Sequence, residues 1–233
     1  MIILEHSINL VSMPVKQQAL KLEVPRKFGG RQEGAGRPRT TKHRVIHHVR
    51  RDEFSKNHPV HITFRVKDGL PSLRTQKFLK QFRQTLSLCS SRPGFRVIHY
   101  SVQSNHVHCI VEADGKESLG NGMKSLVARF APAVNRVFDR TGKVMEGRYH
   151  LAVLKTPKQV RNAIAYVLLN HRHHQSRAKA WVDDFSSGEW FDGWKDVWVP
   201  VPSRVCEVAA ATLWLLTNGW RRYRRIGVHE VPG

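Results

Sequence analysis

Residues 95–113, FRVIHYSVQSNHVHCIVEA, hold two apolar runs on either side of a short polar break at Ser104-Asn105. Alternation with a period of two marks a strand that buries one face, and two such runs so closely joined predict an antiparallel hairpin. A hairpin with one apolar face needs a second layer to cover it. The flanking sequence supplies that layer. Upstream, Val60, Ile62, Phe64 and Val66 alternate with His61, Thr63 and Arg65 as a first strand, closed by the turn DGLPS. From Ser72 to about Ser90, Phe78, Leu79, Phe82, Leu86 and Cys89 recur at helical spacing. Downstream, Leu119, Met123, Leu126, Phe130, Val134 and Val137 predict a helix from about Glu117 to Arg140, with a kink at Pro132. GRYHLAVLK reads as a fourth strand.

The order strand–helix–strand–strand–helix–strand predicts an α+β, ferredoxin-like split βαβ fold, an antiparallel sheet with two helices on one face and the other face open. A third helix is added to that plan. TPKQVRNAIAYVLLN opens with Thr156 at the N-cap and Pro157 at the first helical position, both favoured there. Beyond it come the basic run HRHHQSRAKA, a Trp-rich segment and a last predicted amphipathic helix, VCEVAAATLWLLTNGWRRYRR.

Ahead of the first strand, residues 1–58 are rich in Gly, Arg and Lys and lack apolar periodicity, which predicts a flexible basic arm. The expected division is therefore an arm at 1–58, a central domain at 59–175 and a Trp-rich basic C-terminal lobe at 176–233. The first dozen residues resemble nothing downstream, and a start at Met13 is an expectation.

The chain carries 39 Lys and Arg against 18 Asp and Glu, a formal charge of +21. An excess of that size attracts polyanions, nucleic acid above all. The three cysteines form no CxxC pair, and no stretch approaches the roughly 18 apolar residues that cross a membrane. An intracellular, cytoplasmic and nucleoid-associated protein is expected.

On the strand after Asn105, His106, His108, Ile110 and Glu112 share one face, and Val107, Cys109 and Val111 the other. Two imidazoles stacked along one strand can hold a divalent cation if a third ligand arrives from elsewhere. His-x-His also recurs by chance, as two polar residues tolerated on a sheet. On the third helix, Val160, Ala163, Ile164, Val167 and Leu168 form the apolar stripe, and Tyr166 lies roughly 130° from its centre, with Asn170 on the same flank. Either Tyr166 is a half-packed boundary residue, or it is a phenol nucleophile aimed at the histidine face. A nuclease of the carboxylate type is excluded: between Val60 and Val111 the one acid is Asp68, in a turn.

NHVHCIVE resembles the His-hydrophobic-His motif of single-tyrosine HUH endonucleases, and AIAYVLLN resembles their nucleophile helix. HPVHITFRVKDGLPSLR, GRYHLAVLKTPKQVRNAIAYVLLNHRHH and SSGEWFDGW are similar to segments of the REP-associated tyrosine transposases, relatives of small insertion-sequence transposases. The likeness runs from about Lys27 onward.

The resemblance implies a metal-dependent transesterase that cuts and rejoins single-stranded DNA beside hairpins, through a 5′-phosphotyrosine link to Tyr166. His106, His108 and Asn170 would hold Mg²⁺ or Mn²⁺. Single-stranded or hairpin DNA, from REP-like palindromes or transposon ends, would be the partner. Arg37 and Arg39, within the AT-hook-like GAGRPRT, and Arg148, Arg172, Arg221 and Arg222 are the cations expected to grip phosphates. The long C-terminal lobe suits a monomer acting in cis rather than a homodimer. A domesticated, non-catalytic hairpin-binding protein is the alternative. An RNA-binding module on the same plan is disfavoured, because the strands lack the aromatic pattern that stacks bases.

Overall fold

The computed structural model describes residues 54–174, 182–195 and 202–232. Five strands form one antiparallel sheet. They are β1 (Val60–Arg65), β2 (Ser91–Arg92), β3 (Phe95–Val102), β4 (His106–Ala113) and β5 (His150–Val153), in the order β2-β3-β4-β1-β5. Helix α1 (Gln76–Cys89) follows β1, and α2 (Lys116–Val137) follows β4. With β4 inserted between β1 and β3, this is the predicted split βαβ plan. The two-residue β2 is an extra edge.

Helices α1 and α2 cover one face, and the alternation seen in sequence decides which. Val60, Ile62 and Phe64 of β1 and Val107, Cys109 and Val111 of β4 are fully buried there. Phe130 of α2 stands edge-on to Phe64, Phe78 and Phe82, at centroid distances of 5.1, 5.6 and 5.9 Å. Such edge-to-face contacts fix ring orientation as well as burying area. Helix α1 starts later than its pattern predicts. Thr75 caps it, accepting from Phe78 N at 3.2 Å, whereas Ser72 Oγ accepts from Arg74 N in the preceding turn. Phe54 also packs against this core, so the expected boundary at residue 58 falls inside a packed segment.

The second face is not open. Helix α3 (Pro157–His174) and the C-terminal segment cover much of it, around Ile98 of β3 and Ile110 of β4. A bulge makes this possible: Val97 pairs with Val111 and His99 with Ile110, leaving Ile98 as the extra residue. Helix α3 opens with a capping box. Thr156 Oγ1 accepts from Gln159 N at 3.2 Å, and Gln159 Oε1 accepts from Thr156 N at 3.1 Å and from Lys155 N at 2.8 Å. The predicted stripe is buried, but so are Ala165 and Leu169 on the opposite side of the helix. A helix buried on both sides is one packed between two layers. Between Ala163 and His171, only Tyr166 keeps solvent access.

Two further expectations change. Helix α3 runs to His174, past Asn170 where the predicted helix ended, and His171 is buried with Nδ1 3.8 Å from the Asp183 carboxylate. The predicted C-terminal helix shrinks to α4 (Trp214–Thr217) and a 3₁₀ turn at Gly219–Tyr223. The cause is local. Glu112, buried on β4, accepts from Thr212 N and Leu213 N at 2.8 Å each, and Ala209 N donates to Val97 O at 2.9 Å. Those N–H groups are committed to the sheet, so the segment before Trp214 stays extended. No helix of the described residues is long and apolar enough to cross a membrane.

Candidate active site

Strand register assembles the histidine face. Thr63 of β1 lies opposite His108 on one side and His150 on the other, Arg65 lies opposite His106, and His61 lies opposite Ile110. Directly paired residues share a face. His61, Thr63, Arg65, His106, His108 and His150 therefore project from the same side of the sheet. Tyr166 approaches that side from α3: its ring centroid is 5.2 Å from that of His108 and 5.8 Å from that of His61, both edge-on.

The two motif histidines converge. Their Nε2 atoms lie 3.0 Å apart and their ring centroids 4.7 Å. Each ring is held from behind. Asn105 Oδ1 only accepts, so His106 Nδ1 carries the hydrogen of their 2.9 Å bond and Nε2 is left with a lone pair. His108 Nδ1 sits 2.9 Å from Thr63 Oγ1 and 3.1 Å from His61 Nε2, both able to accept its hydrogen. That again leaves a lone pair on Nε2. Burial lowers the His61 pKa to about 4, so that ring is neutral near pH 7.

Two facing lone pairs repel unless a cation lies between them. Adjacent ligands of an octahedral ion with bonds of about 2.1 Å are separated by about 3.0 Å. The spacing of the two Nε2 atoms matches that edge. Asn170 adds a further donor. It is fully buried one turn beyond Tyr166, and neither its Oδ1 nor its Nδ2 has a hydrogen-bond partner. A buried amide left unsatisfied costs about 1–3 kcal/mol per group, which a bound cation would recover at Oδ1. The donor set thus fits a hard divalent ion: two neutral imidazoles and an amide oxygen. Among the described residues, no cluster of three or more His, Cys, Asp or Glu side chains is arranged as a metal centre by itself.

The structure thus brings Tyr166, His106 and His108 together, with Asn170 on the same flank of α3. Of the expected phosphate-gripping arginines, Arg148 is exposed. Arg221 is committed to Asp192 through two contacts of 2.8 Å and lies over Trp220 at 4.9 Å, and Arg222 lies over Trp214 at the same distance. Arg37, Arg39 and the Arg172 side chain lie outside what is described. Trp194 is buried and Trp190 donates to Glu207 at 3.0 Å, so both pack the C-terminal segment. Glu112, placed by alternation on the histidine face, serves the C-terminal segment instead.

Sequence reasoning missed His61, Thr63 and Arg65. Their signal was present, as the polar half of the alternation in HPVHITFRV.

The family model described as "Transposase IS200 like" matches residues 54–181. Among solved structures, the chain is similar to a REP-associated tyrosine transposase bound to a REP hairpin. That match has a TM-score of 0.50 and 17% identity, and covers 61% of this chain and 82% of that one. At that identity the likeness is one of fold. A second match, a proposed transposase from Deinococcus radiodurans R1, has a TM-score of 0.35 and 14% identity over 48% of this chain and 86% of that one. No curated protein matches the sequence.

Proposed function

The chain belongs to the IS200-like transposase family, and we propose that it acts as a metal-dependent transesterase on single-stranded, hairpin-bearing DNA. One observation carries the reading: the only solvent-accessible residue in the buried stretch of α3 is a tyrosine whose ring meets His108 at 5.2 Å. Packing does not ask for a tyrosine there.

In this reading the Tyr166 oxygen attacks a backbone phosphorus. A bond from phosphorus to the phenolic oxygen forms, the bond to the 3′ oxygen breaks, and the 3′ oxygen leaves as a hydroxyl while the phenol loses its proton. The phosphodiester is exchanged rather than hydrolysed, so a later attack by a 3′-OH reverses the step without external energy. His106 Nε2, His108 Nε2 and Asn170 Oδ1 would hold Mg²⁺ or Mn²⁺. Bound there, the ion would withdraw charge from the phosphate oxygens. Thr63 and Asn105 keep the two imidazoles in the tautomer that can bind it. Arg65, across from His106, is already engaged at the rim, pairing with Glu146 at 3.0 Å and with Asp68 at 3.6 Å. Hairpin DNA as substrate draws support from the REP hairpin bound by the fold relative and from the +21 charge.

The test is a denaturing gel of protein mixed with labelled single-stranded DNA from the flanks of its own gene, with Mg²⁺, Mn²⁺ or EDTA. A metal-dependent band heavier by one protein mass, absent in Tyr166→Phe, is the expected result. Tight binding without a covalent band would make the chain a hairpin-binding protein instead.

A further inference from the structure

A second concave feature lies away from the histidine face. Arg161, in the second turn of α3, and residues 224–230 bound a cleft of about 560 Å³ whose lining also includes Lys195. The C-terminal wall is held down. Ile226 N donates to Gly193 O at 3.2 Å, Lys195 N donates to Ile226 O at 3.0 Å, and the Ile226 and Val228 side chains are fully buried. Between and beside those anchors, Arg224, Arg225 and His229 line the cleft.

Its charge is one-sided. Among the described residues that line it, Arg161, Lys195, Arg224 and Arg225 are basic and Glu230 is the one acid. Glu230 is already engaged, accepting from both terminal nitrogens of Arg161, and that pairing holds its carboxyl below the usual carboxylate range. Arg224 and Arg225 are exposed, and neither makes a hydrogen bond or ion pair among the described residues. The backbone of Arg224 is also unusual, with φ 74° and ψ 151°. That region is all but reserved for glycine, and other residues hold it under strain, most often where function requires it. Here the strained residue presents a guanidinium to the cleft.

Resting on the reading under Proposed function, we infer that this cleft is a separate DNA contact that takes the phosphodiester backbone of the substrate. Arginine forks without competing acids match phosphate oxygens. The contact is assigned to phosphate, which carries no sequence information, because among the described residues the lining holds cations but no Asn or Gln amide and no Trp, Tyr or Phe ring for bases to stack on. Arg161 and Tyr166 are five residues apart on α3, about 140° around the helix and about 7.5 Å along it. A strand in the cleft therefore lies on a different flank from the reacting phosphate and tethers the DNA rather than reacting.

The experiment uses the full chain carrying Arg224→Gln and Arg225→Gln together, titrated with a labelled hairpin oligonucleotide across a range of salt. Affinity is expected to fall by about tenfold or more, and the plot of log affinity against log salt to flatten by about one to two units, one for each phosphate that is no longer neutralised. Covalent adduct falls at limiting DNA and is regained as DNA is raised. The paired Lys variants keep most of the affinity. Arg224→Gly melts no lower than the unmutated chain yet binds more weakly, since glycine relieves the backbone and removes the charge. Should the Gln pair fail to fold, the Lys and Gly variants decide. Unchanged affinity and salt slope, with adduct still formed, would overturn the cleft and leave the transesterase reading intact. Neither adduct nor DNA binding by the unmutated chain would overturn both.

Discussion

Asn105 fixes the tautomer of His106: its side-chain oxygen accepts from His106 Nδ1 at 2.9 Å, while Asn105 O accepts from Val66 N at 2.9 Å and anchors the hairpin turn against β1. Asn105→Ala leaves the imidazole free to protonate on either nitrogen. Mn²⁺ affinity, read by calorimetry or electron paramagnetic resonance, should fall by roughly 10- to 100-fold with the fold intact. Unaltered affinity would mean that the pair does not hold the ion through Nε2.

Thr63 and His61 meet one atom, His108 Nδ1, at 2.9 and 3.1 Å. Their effects on Mn²⁺ affinity should therefore not add. Thr63→Val and His61→Leu each weaken binding, and the double variant falls short of the sum by about 0.5–3 kcal/mol. Strict additivity in the cycle would place one of the two outside the contact.

The Tyr166 hydroxyl makes no hydrogen bond among the described residues. Tyr166→Phe should consequently change the unfolding free energy by less than about 0.5 kcal/mol while the covalent adduct disappears. A large loss of stability would show that the hydroxyl serves packing.

His99 gives the fold a pH dependence. Burial lowers its pKa to about 4, against a smaller opposing pull from Asp192, and the ordinary value is 6.5. Between those values the unfolded chain binds the proton and the folded chain does not. Stability is complete above pH 6.5 and is lost as pH falls toward 4, by about 3 kcal/mol from this group. Urea unfolding at successive pH values should show that slope, and His99→Gln should reduce it while leaving the part that the likewise lowered His61 contributes. An undiminished slope in the variant would assign it elsewhere.

Glu112 is 3% exposed and carries the docking of the C-terminal segment, accepting from Thr212 N, Leu213 N and the Thr212 hydroxyl at 2.8 Å each and pairing with Arg96. Glu112→Ala should cost roughly 3–5 kcal/mol in denaturant unfolding, because the donors stay behind without an acceptor. Limited proteolysis should then cut first between Val205 and Leu213.

What sequence made legible was periodic. The alternation around His106 and His108, and the off-stripe position of Tyr166, follow from spacing within a single element. His61 and Thr63 were legible only as the polar half of an alternating strand, not as members of the site. They join the site only through the pairing of β1 with β4, more than forty residues away, and no local pattern encodes that register. The bulge at Ile98 is equally silent, because one extra residue in an apolar run leaves the alternation looking unbroken. Residues 205–213 misled by composition. An alanine-rich run favours helix by propensity, yet two backbone N–H groups at its end find a buried carboxylate, and tertiary pairing prevails.

The order in which the chain is made adds a consequence. Helix α3 has the sheet on one side and Phe191, Trp194, Leu215, Trp220, Ile226 and Val228 in its other surroundings, and nearly all of those residues leave the ribosome long after Tyr166 does. At about 5–20 residues per second, the nascent protein spends seconds with the sheet complete and α3 lacking its outer wall. Throughout that interval the tyrosine sits on an unfinished support. Completion of the outer layer, rather than of the motif itself, is the last event in the birth of the site.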